Sequence, residues 1–144
     1  MTTVAQVLQE KGQQIWSVSP DARVYDALKV MAERNIGALL VFEGDQLKGI
    51  FSERDYARKV ILHGKSSREI AVKEIMSSDV ITVRPQQSVE DCMALMTDKR
   101  IRHLPVVDGD RVVGVISIGD AVREIISERE LRIEQLETYI TSGG

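Results

Sequence analysis

The sequence predicts an α/β fold: two tandem copies of one strand, helix, strand, strand, helix (βαββα) unit, followed by a C-terminal helix. Three observations lead there. Residues 16–58 align without a gap on residues 81–123, 65 positions later. Each copy alternates short β-branched runs with stretches of helical periodicity. Beyond the second copy, Val122, Ile126, Ile133, Leu136 and Ile140 keep a 4-3 apolar spacing, with Arg129 filling one intervening position.

Identical pairs across the repeat include Val18/Val83, Pro20/Pro85, Val24/Val89, Met31/Met96, Gly44/Gly109, Gly49/Gly114, Ser52/Ser117, Asp55/Asp120 and Arg58/Arg123. Each copy opens with a β-branched stretch, residues 15–18 and 80–83, that stops short of a proline. A helix follows, because Val24, Ala27, Leu28 and Met31 recur as Val89, Cys92, Met93 and Met96, the i, i+3, i+4, i+7 stripe of one buried face. Cys92 is therefore expected in the core, and Met31, Met76, Met93 and Met96 are read as packing.

Two apolar runs come next, residues 38–42 and 47–51, joined by Glu43-Gly44-Asp45-Gln46; the second copy repeats the hairpin around Asp108-Gly109-Asp110-Arg111. A further helix is expected from near Asp55 to His63-Gly64, where glycine closes it. Residues 3–8 resemble residues 71–76 at an offset of 68, so a short helix should precede each first strand. The polar stretch 64–68 marks the boundary, giving expected units 1–68 and 69–126 and a helical extension 127–144.

Composition narrows the function classes. The 144 residues carry a formal net charge of -3, so no basic field draws the chain to nucleic acid or an anionic membrane. One cysteine and two histidines make neither an intramolecular disulfide nor a recognisable metal site. The N-terminal residues lack signal-peptide features and no apolar run reaches the roughly 20 residues of a membrane span, so a soluble cytoplasmic protein is expected.

The lead-in Val72-Lys73-Glu74-Ile75-Met76, the segment Arg102-His103-Leu104-Pro105-Val106-Val107 and the ending Gly114-Val115-Ile116-Ser117-Ile118-Gly119-Asp120 carry a family resemblance. The ending is echoed by Gly49-Ile50-Phe51-Ser52-Glu53-Arg54-Asp55. Together they resemble the tandem cystathionine β-synthase (CBS) domain pair, or Bateman module, over residues 3–125. The stretch from Ser52 to Lys59 looks like that of small stand-alone pairs that bind AMP or NAD-type ligands. The resemblance implies two CBS units packed by pseudo-twofold symmetry with two clefts between them, a flat homodimer of pairs, and sensing of an adenine nucleotide (AMP, ATP or NAD(H)) on behalf of an unidentified regulated protein. Ala71 departs from the family, which often has a helix-capping threonine there; the loss is worth about 1 kcal/mol.

Each candidate residue has two readings. Ser52/Asp55 and Ser117/Asp120 are Ser-x-x-Asp motifs between a strand and a helix. They read either as capping boxes or as ribose sites in which the carboxylate accepts from the 2′ and 3′ hydroxyls. Arg54, Arg58 and Lys59 follow within two helical turns, as phosphate ligands or surface cations. Arg54 becomes Gly119 in the second copy, so the two clefts should differ. In the resembled family the crossover holding Arg100, Arg102 and His103 contacts the nucleotide, and Pro105 removes a backbone donor from the strand there. Trp16 reads as core or interface, with adenine stacking the lesser option.

The sequence contains no Gly-x-Gly-x-x-Gly turn, no P-loop, and no acid, base and nucleophile at recognisable spacing, so no catalytic residue and no enzyme activity is expected. The alternative to a sensor is a constitutive dimerisation adaptor with empty clefts. The 4-3 seam is expected to pack on a partner subunit or back onto the pair.

Overall fold

The computed structural model describes residues 2–143, with side chains through Ile140. The described chain is α/β, as the repeat predicts. Its elements are α1 (Val4–Lys11), β1 (Ser17–Val18), α2 (Val24–Arg34), β2 (Ala38–Glu43), β3 (Gln46–Ser52) and α3 (Glu53–Tyr56), which continues as a π-helical turn over Ala57–Ile61. After a 3-10 turn at Val72–Glu74 come α4 (Val89–Lys99), β4 (His103–Asp108), β5 (Arg111–Ser117) and α5 (Ile118–Gly143).

Two compact units result, and they cut the chain differently from the repeat: residues 14–81 form one, and residues 1–13 with 82–144 form the other. The lead-in segments account for the difference. Residues 71–76 bind the first copy, through Val72 N–H to Ala22 O (2.8 Å) and Lys73 N–H to Pro20 O (2.9 Å). The N-terminal segment binds the second copy by the same pattern, Val4 N–H to Gln87 O (2.8 Å) and Ala5 N–H to Pro85 O (2.9 Å). Gln87 and Pro85 lie 65 positions after Ala22 and Pro20, so both units use equivalent acceptors.

The two lead-ins differ in strength. Thr3 caps α1 in a reciprocal box with Gln6, whereas Ala71 has no hydroxyl to offer. Only the return half survives there, Ala71 N–H to Glu74 Oε2 at 2.7 Å, and the expected helix shortens to a 3-10 turn.

Both hairpins form in the same register, Leu40 opposite Ile50 and Pro105 opposite Val115, with a bulge at Val41/Phe42 matched at Val106/Val107. Gly44 and Gly109 turn them at φ +62° and +64°. In the first copy β1 runs parallel to β2, with Leu40 N–H donating to Trp16 O at 3.2 Å. Position 105 is proline and has no such donor, so the second copy keeps only the single bridge Val83/Val106.

In the 14–81 unit, Val24, Ala27 and Met31 of α2 pack with Leu39, Val41, Phe51, Val60, Val72 and Ile75. Trp16 lies at the edge of this core with the Arg34 guanidinium 4.1 Å from its ring centroid. In the other unit Val89, Cys92, Met96, Leu104, Val106 and Ile116 are buried, Cys92 fully. Burial, with the nearby Asp91 and Glu90 charges, pushes the Cys92 thiol up to about 11. The seam residues of α5 are exposed, from 39% at Val122 to 69% at Ile140. Ile126, Ile133, Leu136 and Ile140 keep more than half of their surface uncovered.

Candidate functional site

Both Ser-x-x-Asp motifs fold as capping boxes. Ser52 Oγ accepts from Asp55 N–H (3.2 Å) while Asp55 Oδ2 accepts from Ser52 N–H (3.0 Å) and Ser52 Oγ–H (3.1 Å). Ser117 Oγ accepts from Asp120 N–H at 3.2 Å, and Asp120 Oδ2 accepts from Ser117 N–H at 2.8 Å. The strand carries each serine in extended conformation to the point where the helix needs a cap, which fixes the aspartate beside the last strand residue.

The two carboxylates are neutralised differently. Asp55 Oδ1 faces Lys59 Nζ at 3.4 Å and Ser77 Oγ at 3.4 Å, and Lys59 also donates to Ile75 O at 3.0 Å. Asp120 is 6% exposed, the one buried charged residue among those described. Lys11 Nζ lies 2.6 Å from its Oδ2 and 2.9 Å from Val115 O, and Arg123 Nη2 lies 2.6 Å from its Oδ1. Burial alone would raise the Asp120 pKa; the Lys11 and Ser117 bonds outweigh it and hold it below the usual carboxylate value.

His103 begins β4 opposite Ser117. Burial and then the Lys11 charge lower its pKa, with Asp120 opposing, so it is a neutral imidazole near pH 7. Arg102 is exposed, and its carbonyl accepts from Ile118 N–H at 2.8 Å. Arg54 and Arg58 are exposed on the helical segment after Ser52, while Lys59 of the same segment reaches Asp55. Thus Ser52, Asp55 and Lys59 converge in one unit, and Ser117, Asp120 and His103 in the other.

Sequence reasoning missed Lys11, Ser77 and the pairing of Arg123 with Asp120. The repeat shows only that a cation is lost, since position 124 is glutamate where the first copy has Lys59; it does not single out Lys11 as the replacement. Beside Asp120 a groove of about 430 Å³ opens between α1 and α5, lined by Val7, Lys11, Arg123 and Ile126 with Glu10, Glu124 and Glu130 among its carboxylates. Among the described residues no cluster of three or more His, Cys, Asp or Glu side chains is placed to hold a metal, and no helix is long and apolar enough to cross a membrane.

Comparison with known proteins agrees with this architecture. The CBS domain model matches residues 4–62 and 72–127. A signal-transduction protein with CBS domains from Burkholderia ambifaria MC40-6 is 53% identical, with 88% of this chain and 95% of that chain covered at a TM-score of 0.85. The mitochondrial CBS domain-containing protein CBSX3 of Arabidopsis thaliana is 42% identical over 152 residues, 99% of this chain and 73% of the relative. The CBS domain pair of protein MJ0100, solved with 5′-methylthioadenosine and S-adenosyl-L-methionine, is 26% identical, with 89% of this chain and 98% of that chain covered at a TM-score of 0.77. With two matched domains spanning well over half of the chain, it belongs to the CBS domain family, as a tandem pair.

Proposed function

We propose that this protein is a non-catalytic regulatory module that binds an adenine nucleotide, AMP, ATP or NAD(H), and signals its occupancy to a partner protein. Each repeat copy, 1–68 and 69–126, contributes one Ser-x-x-Asp site, and the extension assigned to 127–144 is the contact for a homodimer. The observation that carries the reading is the duplicated carboxylate flanked by cations: Asp55 with Lys59, and Asp120 with Lys11 and Arg123. A carboxylate so placed accepts the two hydroxyls of a ribose, and the displaced cations are at hand for phosphate. Arg54, Arg58, Arg102 and His103 complete the ligand-facing set, with neutral His103 able to donate or accept. The complex of the MJ0100 pair with two adenosine compounds supports this ligand class.

Burial holds the Cys92 thiol at about 11, so it is not an activated nucleophile. A single cysteine, unable to form an intramolecular disulfide, suits a reducing compartment, and we assign the cytoplasm. The adaptor alternative draws on the same geometry, since both carboxylates are already satisfied within the chain.

One experiment separates the two. The protein is denatured directly after purification and the released small molecules are identified by mass spectrometry, followed by a thermal-shift panel of AMP, ATP, NAD+ and NADH. A sensor raises its melting temperature with one of them in a concentration-dependent way. No shift with any and no released nucleotide would leave the adaptor.

A further inference from the structure

One stripe of α5 leaves apolar and charged side chains uncovered together. Counted in heptads, Ile126, Ile133 and Ile140 fall at the first core position (a), and Val122, Arg129 and Leu136 at the second (d). Ile126, Ile133, Leu136 and Ile140 are 51–69% exposed, and α5 runs unbroken from Ile118 to Gly143. Glu130 and Glu137 flank the stripe on the a side (position e), and Arg132 flanks it on the d side (position g). Among the described residues Arg129, Glu130 and Arg132 enter no ion pair within the chain.

This stripe complements itself in one orientation. Isoleucine at a with leucine at d is the pattern that favours two parallel strands. An arginine at d disturbs an apolar seam unless an anion meets it. In a parallel, in-register pair, Arg129 lies beside Glu130 of the partner subunit, which follows the facing d position, and Arg132 stands at the g-to-e spacing from Glu137 of the partner subunit. Each helix thus answers both arginines of the other. The antiparallel pairing that fills every layer sets Leu136 against the partner's Ile126, and Arg129 against the partner's Ile133. It gathers Arg129 and Arg132 of both copies on one flank and Glu130 of both on the other, so like charges meet.

We propose that α5 docks on α5 of a second copy in parallel and in register, with Arg129 and Arg132 as the charges that fix the orientation. The proposal rests on the reading of the extension as the homodimer contact and adds its geometry. Asp120 is in the first turn of α5, so the two copies of that residue come to the same end of the pair. The test combines light scattering with disulfide cross-linking of the intact chain. Leu136→Cys should give a covalent dimer under mild oxidation, because facing d positions come within disulfide reach; the antiparallel pair holds the two copies of position 136 ten residues apart along the axis, about 15 Å. Cys92 is fully buried, so the parent serves as the uncross-linked control. Arg129→Glu should weaken the dimer by about tenfold, and adding Glu130→Arg should restore it. In the antiparallel pair Arg129→Glu would strengthen it instead. If Leu136→Cys alone gives no covalent dimer, or Arg129→Glu leaves the dimer as tight as the parent's, the parallel register is overturned while the homodimer stands. A parent that is monomeric at micromolar concentration overturns both.

Discussion

Lys11 Nζ stands 2.6 Å from Asp120 Oδ2, joining the end of the N-terminal helix to the first turn of α5 within one compact unit. Asp55 has no such long-range ion pair; its lysine is four residues away on the same segment. Asp120→Ala should therefore cost more stability than Asp55→Ala. Removing Asp120 leaves Ser117 N–H, Lys11 and Arg123 without their acceptor, worth about 2–3 kcal/mol; this is less than the 3–5 of a fully buried pair because Lys11 and Arg123 reach solvent. Asp55→Ala should cost about 1 kcal/mol, the value of a lost cap. Urea titrations of both variants check the order.

Acid should weaken the fold in two steps. The His103 pKa is lowered on folding, so its neutral form costs nothing at high pH; as pH falls past the ordinary histidine value of about 6.5 the unfolded chain takes the proton more readily and stability drops. Asp120 is depressed, so its contribution is present above the ordinary carboxylate value of about 4 and is lost as pH falls through the folded value. Melting temperature measured from pH 8 to 3 should show both steps, and His103→Gln should remove only the first.

Gly49 and Gly114 occupy equivalent strand positions under the two lead-in segments. A Cβ at Gly114 would meet Leu8 Cδ2 at 2.8 Å, a side-chain tip, whereas one at Gly49 would meet the Ser77 carbonyl at 2.8 Å as well as Met76 Sδ at 2.7 Å. A side chain yields more easily than backbone. Both alanine variants should be destabilised by overpacking, about 1–3 kcal/mol, with Gly49→Ala the worse of the two in chemical denaturation.

The repeat made the hairpins, the α2 and α4 stripes and both Ser-x-x-Asp turns legible, because each is a local pattern that the chain states twice. Pro105 was legible as a missing donor, but its consequence was not: a first strand is expected at residues 80–83, and with leucine at 40 replaced by proline at 105 the second copy has a bridge where the first has β1. Lys11 was not legible. At the lead-in offset of 68 it aligns with Asp79, so no repeat pairing singles it out, and its partner is set by which copy each lead-in segment binds. The π-helical turn after Tyr56 was likewise hidden, since its residues continue a helical pattern in sequence.

The apolar seam of α5 predicts a homodimer. Ile126, Ile133, Leu136 and Ile140 are more than half exposed in the single chain, and their 4-3 spacing suits a helix pair. Truncation after Ser127 should weaken the dimer, but it also removes Glu128, which accepts from Thr2 N–H at 2.7 Å. Ile133→Glu with Leu136→Glu is the cleaner variant. Light scattering at micromolar concentration should find a dimer for the intact chain and a shift toward monomer for the double variant; a monomer in both would count against the seam.

The central claim, that the two aspartates hold a ribose as well as cap a helix, is tested most directly by calorimetric titration of AMP and NAD+ into the parent, Asp55→Asn and Asp120→Asn proteins at matched folded fraction. Asparagine still accepts from a backbone N–H, so each variant should fold, but it cannot offer a diol two equivalent anionic oxygens. The account predicts that at least one substitution weakens binding of the ligand by about tenfold or more, with little loss of stability in Asp55→Asn and a larger loss in Asp120→Asn, where Lys11 and Arg123 lose their anion. Unchanged affinity for both ligands in both variants would contradict it and leave the motifs as helix caps alone.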